Sequence, residues 1–173
     1  MYAYYAHWQK DYERESQSCQ YGFLHYLEGM LNITVRLAKS YMLQEKYKDA
    51  ASVLEASLDL IGCIFKDNEV SPPVHHREHG DLYALLAEIY LKDGNPDAAI
   101  SYLEKMVNYD LNDYKTIDCN TKTKTPLLNL IPHGLYRQRV DRHRNLLTKL
   151  TDPRFTSLRT NERYQKLVDL VNV

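Results

Sequence analysis

The chain has 173 residues, a length that one core can serve, with 44% hydrophobic residues and nearly balanced charge, 22 Lys+Arg against 23 Asp+Glu. These are globular values, and a mean hydropathy of -0.54 with no apolar run near ~20 residues excludes a membrane span, while Met1 to Lys10 lacks the basic start and apolar stretch of a signal peptide. Cys19, Cys63 and Cys119 are odd in number and have no paired spacing, which argues against a disulfide framework or a paired-cysteine metal site and for a reducing, cytoplasmic setting.

Apolar residues recur at three- and four-residue steps, the helical period, and the spacing predicts helices over 3–16, 20–43, 47–65, 74–92, 96–110, 138–150 and 161–171. In the first, Tyr2, Tyr5, Trp8 and Tyr12 form a stripe suited to capping a stack or meeting another domain. In the third, Cys63 between Ile61 and Ile64 reads as a core thiol. Pro72 and Pro73 precede the fourth helix, where a missing amide donor does little harm, and Asp93-Gly94-Asn95-Pro96 makes a tight turn into the fifth. Residues 110–135 have no steady period and read as a long irregular connection. Beyond it, Arg137, Arg139, Arg142, Arg144 and Lys149 form a basic run beside Leu146, Leu147 and Leu150. The charge is polarised: 10 Lys+Arg against 18 Asp+Glu in residues 1–114, then 12 against 5 in residues 115–173.

Sliding the chain against itself by 49 residues brings two helix pairs into register. Thr34, Leu37, Ala38, Tyr41, Ala50, Leu54 and Glu55 fall on Tyr83, Leu86, Ala87, Tyr90, Ala99, Leu103 and Glu104. Small residues let two antiparallel helices approach closely, here Ala38 with Ala50 and Ala87 with Ala99, while Tyr41, Leu54, Tyr90 and Leu103 fill the space on either side. This pattern resembles the tetratricopeptide repeat (TPR), although the offset exceeds the usual period of about 34. The expected fold is all-α: a single domain over 1–173, a short TPR-like α-solenoid of antiparallel helix pairs at about 20–65 and 74–110, followed by an irregular C-terminal extension over 111–173.

A narrower resemblance extends over roughly residues 30 to 171. His76-Arg77-x3-Leu82-Tyr83-x2-Leu86-Ala87-Glu88-Ile89-Tyr90, Ala98-Ala99-x3-Leu103-Glu104-Lys105, Thr125-Pro126-Leu127-Leu128, and the closing Asp152-Pro153-Arg154-Phe155-x2-Leu158-Arg159-x3-Arg163-Tyr164 are similar to the C-terminal sensor regions of Firmicutes XRE-family helix-turn-helix regulators. The resemblance implies a non-catalytic regulatory module that binds a peptide or protein and touches DNA only through an attached helix-turn-helix domain, which is not in this chain. A stand-alone TPR adaptor is the alternative, and a homodimer is compatible with either.

The strongest enzymatic signal is His75-x2-Glu78-His79, which matches the inverted zinc-peptidase pattern of two histidine ligands and a water-activating Glu. Such a site needs a third protein ligand, and the motif follows Pro72-Pro73 in a polar first turn, so a zinc hydrolase is disfavoured. No nucleophile elbow or phosphate-cradling loop occurs, and no cofactor is expected. The basic run reads as a solvated helix face rather than a DNA contact. Asn32, Val35, Lys39, Ala84 and Glu88 do not reproduce the carboxylate-clamping set of chaperone-binding repeats. Stacked pairs present their first helices on one face, which places a partner among Asn32, Lys39, Tyr83, Glu88 and Arg137.

Overall fold

The computed structural model describes residues 6–65, 73–112, 125–131 and 142–172, with 73–79, 112, 142 and 143 described as backbone. Every regular element among them is helical: α1 (Tyr12–Leu43), α2 (Tyr47–Phe65), α3 (Pro73–Lys92), α4 (Pro96–Asn112), α5 (Arg142–Leu150), a 3-10 turn (Pro153–Leu158) and α6 (Glu162–Val171).

α1 corrects the expected break between residues 16 and 20. Lys10 adopts a left-handed φ of 57° and Asp11 caps the helix by accepting from the Arg14 amide at 3.1 Å, with Glu13 and Glu15 at the positive end of the helix dipole. From there the helix runs 32 residues without interruption. Ser16, Ser18 and Cys19 are mediocre helix formers but contain neither proline nor glycine, and packing overrides so weak a preference. Trp8 and Tyr12 do not cap the stack from within the chain, since Trp8 is 83% exposed and Tyr12 is exposed as well; Tyr2 and Tyr5 lie outside the described residues.

α1 with α2 and α3 with α4 form two antiparallel hairpins whose turns repeat the same geometry. Glu45 and Gly94, equivalent under the 49-residue offset, both take left-handed φ values, 59° and 80°. The next amides, of Lys46 and Asn95, return to the carbonyls of Tyr41 and Tyr90 at 3.0 and 2.8 Å, closing the end of the first helix in each pair. Asn95 then caps α4 by accepting from the Ala98 amide at 3.1 Å.

Two cores result. Leu24, Leu27 and Leu31 of α1, Leu54 and Ile61 of α2, and Leu82, Leu86 and Ile89 of α3 share the first; Ala87 of α3, Ile100, Leu103 and Met106 of α4, and Leu146, Leu150, Phe155, Tyr164 and Leu167 share the second. Ala38, Ala50, Ala87 and Ala99 are all fully buried, as the crossing register requires. α3 belongs to both cores, so the second pair stacks on the first. The C-terminal extension closes the outer side of the second pair with α5, the 3-10 turn and α6. Asp152 caps the 3-10 turn through the Arg154 amide, and Asn161 caps α6 through the amides of Arg163 and Tyr164.

The segment 125–131 is anchored on α1. Buried Gln20 donates to the Pro126 carbonyl and to Asn129 Oδ1, both at 2.8 Å, and accepts from the Leu130 amide at 2.8 Å. Leu128 and Ile131 then join the first core. One sequence expectation fails on burial. Cys63 is exposed, because the buried stripe of α2 runs through Leu54, Ser57, Ile61 and Ile64 and residue 63 points away from it. Leu37, the repeat counterpart of fully buried Leu86, is 42% exposed, because no described helix pair packs on that face of α1.

Candidate functional site

Stacking sets α1 and α3 side by side, and a cleft of about 300 Å³ opens between them and the start of the C-terminal cap. Leu31, Val35, Leu82 and Leu85 form an apolar floor, and Asn32, Lys39, Asp81, Lys149 and Arg154 surround it. Three cations face one carboxylate along the cleft. Lys149 pairs with Asp81 at 2.9 Å and is largely buried. Arg154 donates to Glu88 at 2.8 Å and to Asp152 at 3.0 and 3.1 Å. The Asp152 carboxyl is held below its ordinary range first by the side-chain hydrogen bond from Arg154, then by that residue's amide. Lys92 also meets Glu88, at 3.1 Å. Lys39 is exposed and meets no acceptor among the described residues.

The residues expected from sequence divide accordingly. Asn32 and Lys39 line the cleft, and Glu88 adjoins it by orienting Arg154. Tyr83 does not join them: it turns to the opposite side of α3, where its ring meets Tyr102 at 6.2–6.4 Å together with Tyr109. Arg137 lies outside the described residues. Sequence reasoning misses Lys149 and Arg154 as cleft residues, because Lys149 belongs to a basic run and Arg154 to the closing Asp152-Pro153-Arg154-Phe155 element. Nothing local in the sequence reports that the cap returns over α3.

A second polar cluster fastens the two pairs together. Glu55 of α2 accepts from the hydroxyls of Tyr90 at 2.8 Å and Tyr102 at 2.7 Å, whose rings stack at 5.4 Å and 11°. Burial, then the hydrogen bond to Glu55 and its charge, push both phenols above their ordinary range. This cluster is structural in kind, because both hydroxyls are satisfied by Glu55.

The side chains of His75, Glu78 and His79 lie outside the described residues, and among the described ones no group of three or more His, Cys, Asp or Glu could hold a metal ion. No described helix is long and apolar enough to cross a membrane.

Compared with known proteins, residues 80–113 match the tetratricopeptide repeat. No curated protein and no solved structure matches the chain. The match covers the described hairpin from Gly80 of α3 to the end of α4, so the second pair is similar to a tetratricopeptide repeat and the chain is TPR-like.

Proposed function

We propose that this protein is a non-catalytic binding module whose α1–α3 cleft receives an extended, acidic segment of a peptide or protein partner. The observation that carries the reading is the cleft's composition: an apolar floor bordered by Lys39, Lys149 and Arg154, of which Lys149 and Arg154 already meet carboxylates while Lys39 meets none among the described residues. An extended ligand needs apolar contact for affinity and polar groups for orientation, and Lys39 at the rim, with no acceptor among the described residues, favours a negatively charged one. Asn32 beside Lys39 adds a donor and acceptor for a peptide backbone.

In its finer form the module is a cytoplasmic sensor that resembles the C-terminal part of an XRE-type regulator, a bound segment shifting the helix packing and so the poise of an attached DNA-binding domain. Sequencing the coding region that adjoins Met1 tests this form: without a helix-turn-helix there, the adaptor reading stands instead.

The binding reading is tested by titrating fluorescent peptides of equal length, one acidic and one with the charges reversed. The acidic peptide should bind more tightly, and Lys39→Glu should weaken it about tenfold or more, since loss and reversal of one rim charge amount to roughly 1.4 kcal/mol or more. Equal affinity for both peptides, or no response to Lys39→Glu with the melting temperature unchanged, would defeat it.

A further inference from the structure

The 49-residue offset allows α2 and α4 to be compared residue by residue. Lys48, Ser52 and Glu55 of α2 correspond to Asp97, Ser101 and Glu104 of α4. On α4 these residues hold a guanidinium delivered by the cap. Arg163 donates through Nε and Nη2 to the two oxygens of Glu104 at 3.0 and 2.8 Å and through Nη2 to Ser101 Oγ at 3.3 Å, while Asp97 stands further off at 3.6 Å. This paired contact is the geometry in which a planar guanidinium and a carboxylate match best. Arg163 lies in the first turn of α6, so the cation arrives on the unit that packs next to α4.

On α2 the same Ser and Glu line an open pocket of about 190 Å³ between the start of α2 and the end of α3, with Tyr47, Lys48, Tyr90 and Asp93 around them. Tyr90 and Tyr102 both donate to Oε1 of Glu55. Its Oε2 takes no hydrogen bond from a described residue, and the side chains of Ser52 and Asp93 meet no partner among the described residues either. Two carboxylates thus line the pocket beside one cation, Lys48, which is exposed and meets no carboxylate among the described residues. Burial first, then the bond to Glu55 and its charge, and last the charge of Asp93 hold the Tyr90 phenol above its ordinary range, so both carboxylates act on the same space.

We propose that this pocket is a guanidinium site that receives an arginine side chain of a protein partner, as α4 receives Arg163 from the cap. Glu55 Oε2 and Ser52 take the parts that Glu104 and Ser101 play on α4. Asp93 supplies from α3 the second carboxylate, which α2 lacks because Lys48 stands where α4 has Asp97. A guanidinium fits this set better than an ammonium does: its fixed fork of donors reaches two carboxylates and a hydroxyl together, and its flat face lies against an aromatic ring, for which Tyr47 and Tyr90 are at hand. The site is separate from the α1–α3 cleft and takes the opposite charge, so it stands whether or not the cleft binds an acidic segment.

NMR titration of the isotope-labelled full chain with N-acetyl-arginine amide tests the proposal. Saturable shifts are expected at the amides of Ser52, Glu55 and Asp93, with a dissociation constant of about a millimolar for so small a ligand, and the lysine analogue should bind at least about fivefold more weakly. Ser52→Ala together with Asp93→Asn should weaken the arginine compound about tenfold or more at an unchanged melting temperature, because neither side chain has a partner among the described residues. Lys48→Asp, which places there the charge that Asp97 carries on α4, should tighten binding about threefold or more, a gain that a purely structural cluster does not give. No saturable shift at these amides up to about 50 mM overturns the proposal. Equal binding of the lysine compound, undiminished binding by the double variant, or binding that Lys48→Asp fails to tighten overturns it as well. Free arginine that binds more tightly than the blocked compound would make this an amino-acid site and overturn the assignment to a protein side chain.

Discussion

At the scale of single residues, Glu55 and Glu104 show how one device is used twice. They are repeat counterparts on the second helix of each pair, and each carboxylate receives the unit that follows: Glu55 takes Tyr90 and Tyr102, and Glu104 takes Arg163 of α6 at 2.8 and 3.0 Å. The sequence match made them equivalent without saying what they hold. Replacing Glu55 with Ala strands two partly buried phenols and should cost about 1–3 kcal/mol, whereas Gln keeps an acceptor and should cost less; thermal melting distinguishes them. The same cluster sets an alkaline limit. The Tyr102 proton is bound more tightly in the folded protein than in the unfolded chain, so its contribution is fully present below the ordinary phenol value of about 10 and is lost as the pH rises through the higher folded value. Phenolate absorbance from Tyr102 should therefore appear late and together with unfolding, and Tyr102→Phe should shift the alkaline midpoint. An unshifted midpoint would remove this cluster from the account.

At the scale of elements, the hairpins were legible because their signals are local. Alanine at 38, 50, 87 and 99 predicted close crossings, and all four are fully buried. The Asp93-Gly94-Asn95 turn announced itself through Gly94, but its counterpart hides the same left-handed step under Glu45. A left-handed residue with a Cβ costs about 1–2 kcal/mol and glycine's extra unfolded freedom about 0.5–1, so Glu45→Gly should stabilise the protein by roughly 0.5–1 kcal/mol. A lower denaturant midpoint for that variant would mean that the Glu45 side chain contributes something the turn geometry does not show. What the sequence concealed was long-range. Cys63 and Leu37 have apolar neighbours and a helical period, yet burial depends on which side the next pair occupies. Lys149 and Arg154 reached the cleft only because the cap folds back onto α3, a contact encoded in the apolar side of α5 and in Phe155 rather than in the basic residues themselves.

At the scale of the whole molecule, stability is distributed by nearest-neighbour contact, as in other stacked architectures. Phe155, fully buried in the second core, joins the cap to the second pair, and Phe155→Ala should cost about 3–5 kcal/mol. Hydrogen exchange should accelerate in α4 and α6 more than in the middle of α2, and a uniform loss of protection would instead indicate a single cooperative unit. The Gln20 clasp runs against this neighbour-by-neighbour order, since its partners stand 106 to 110 residues further along the chain. It therefore also sets a timetable for synthesis. Leu128 and Ile131, which share the first core with Leu24 and Leu27, leave the ribosome long after them, so that core cannot be completed until most of the chain has been made.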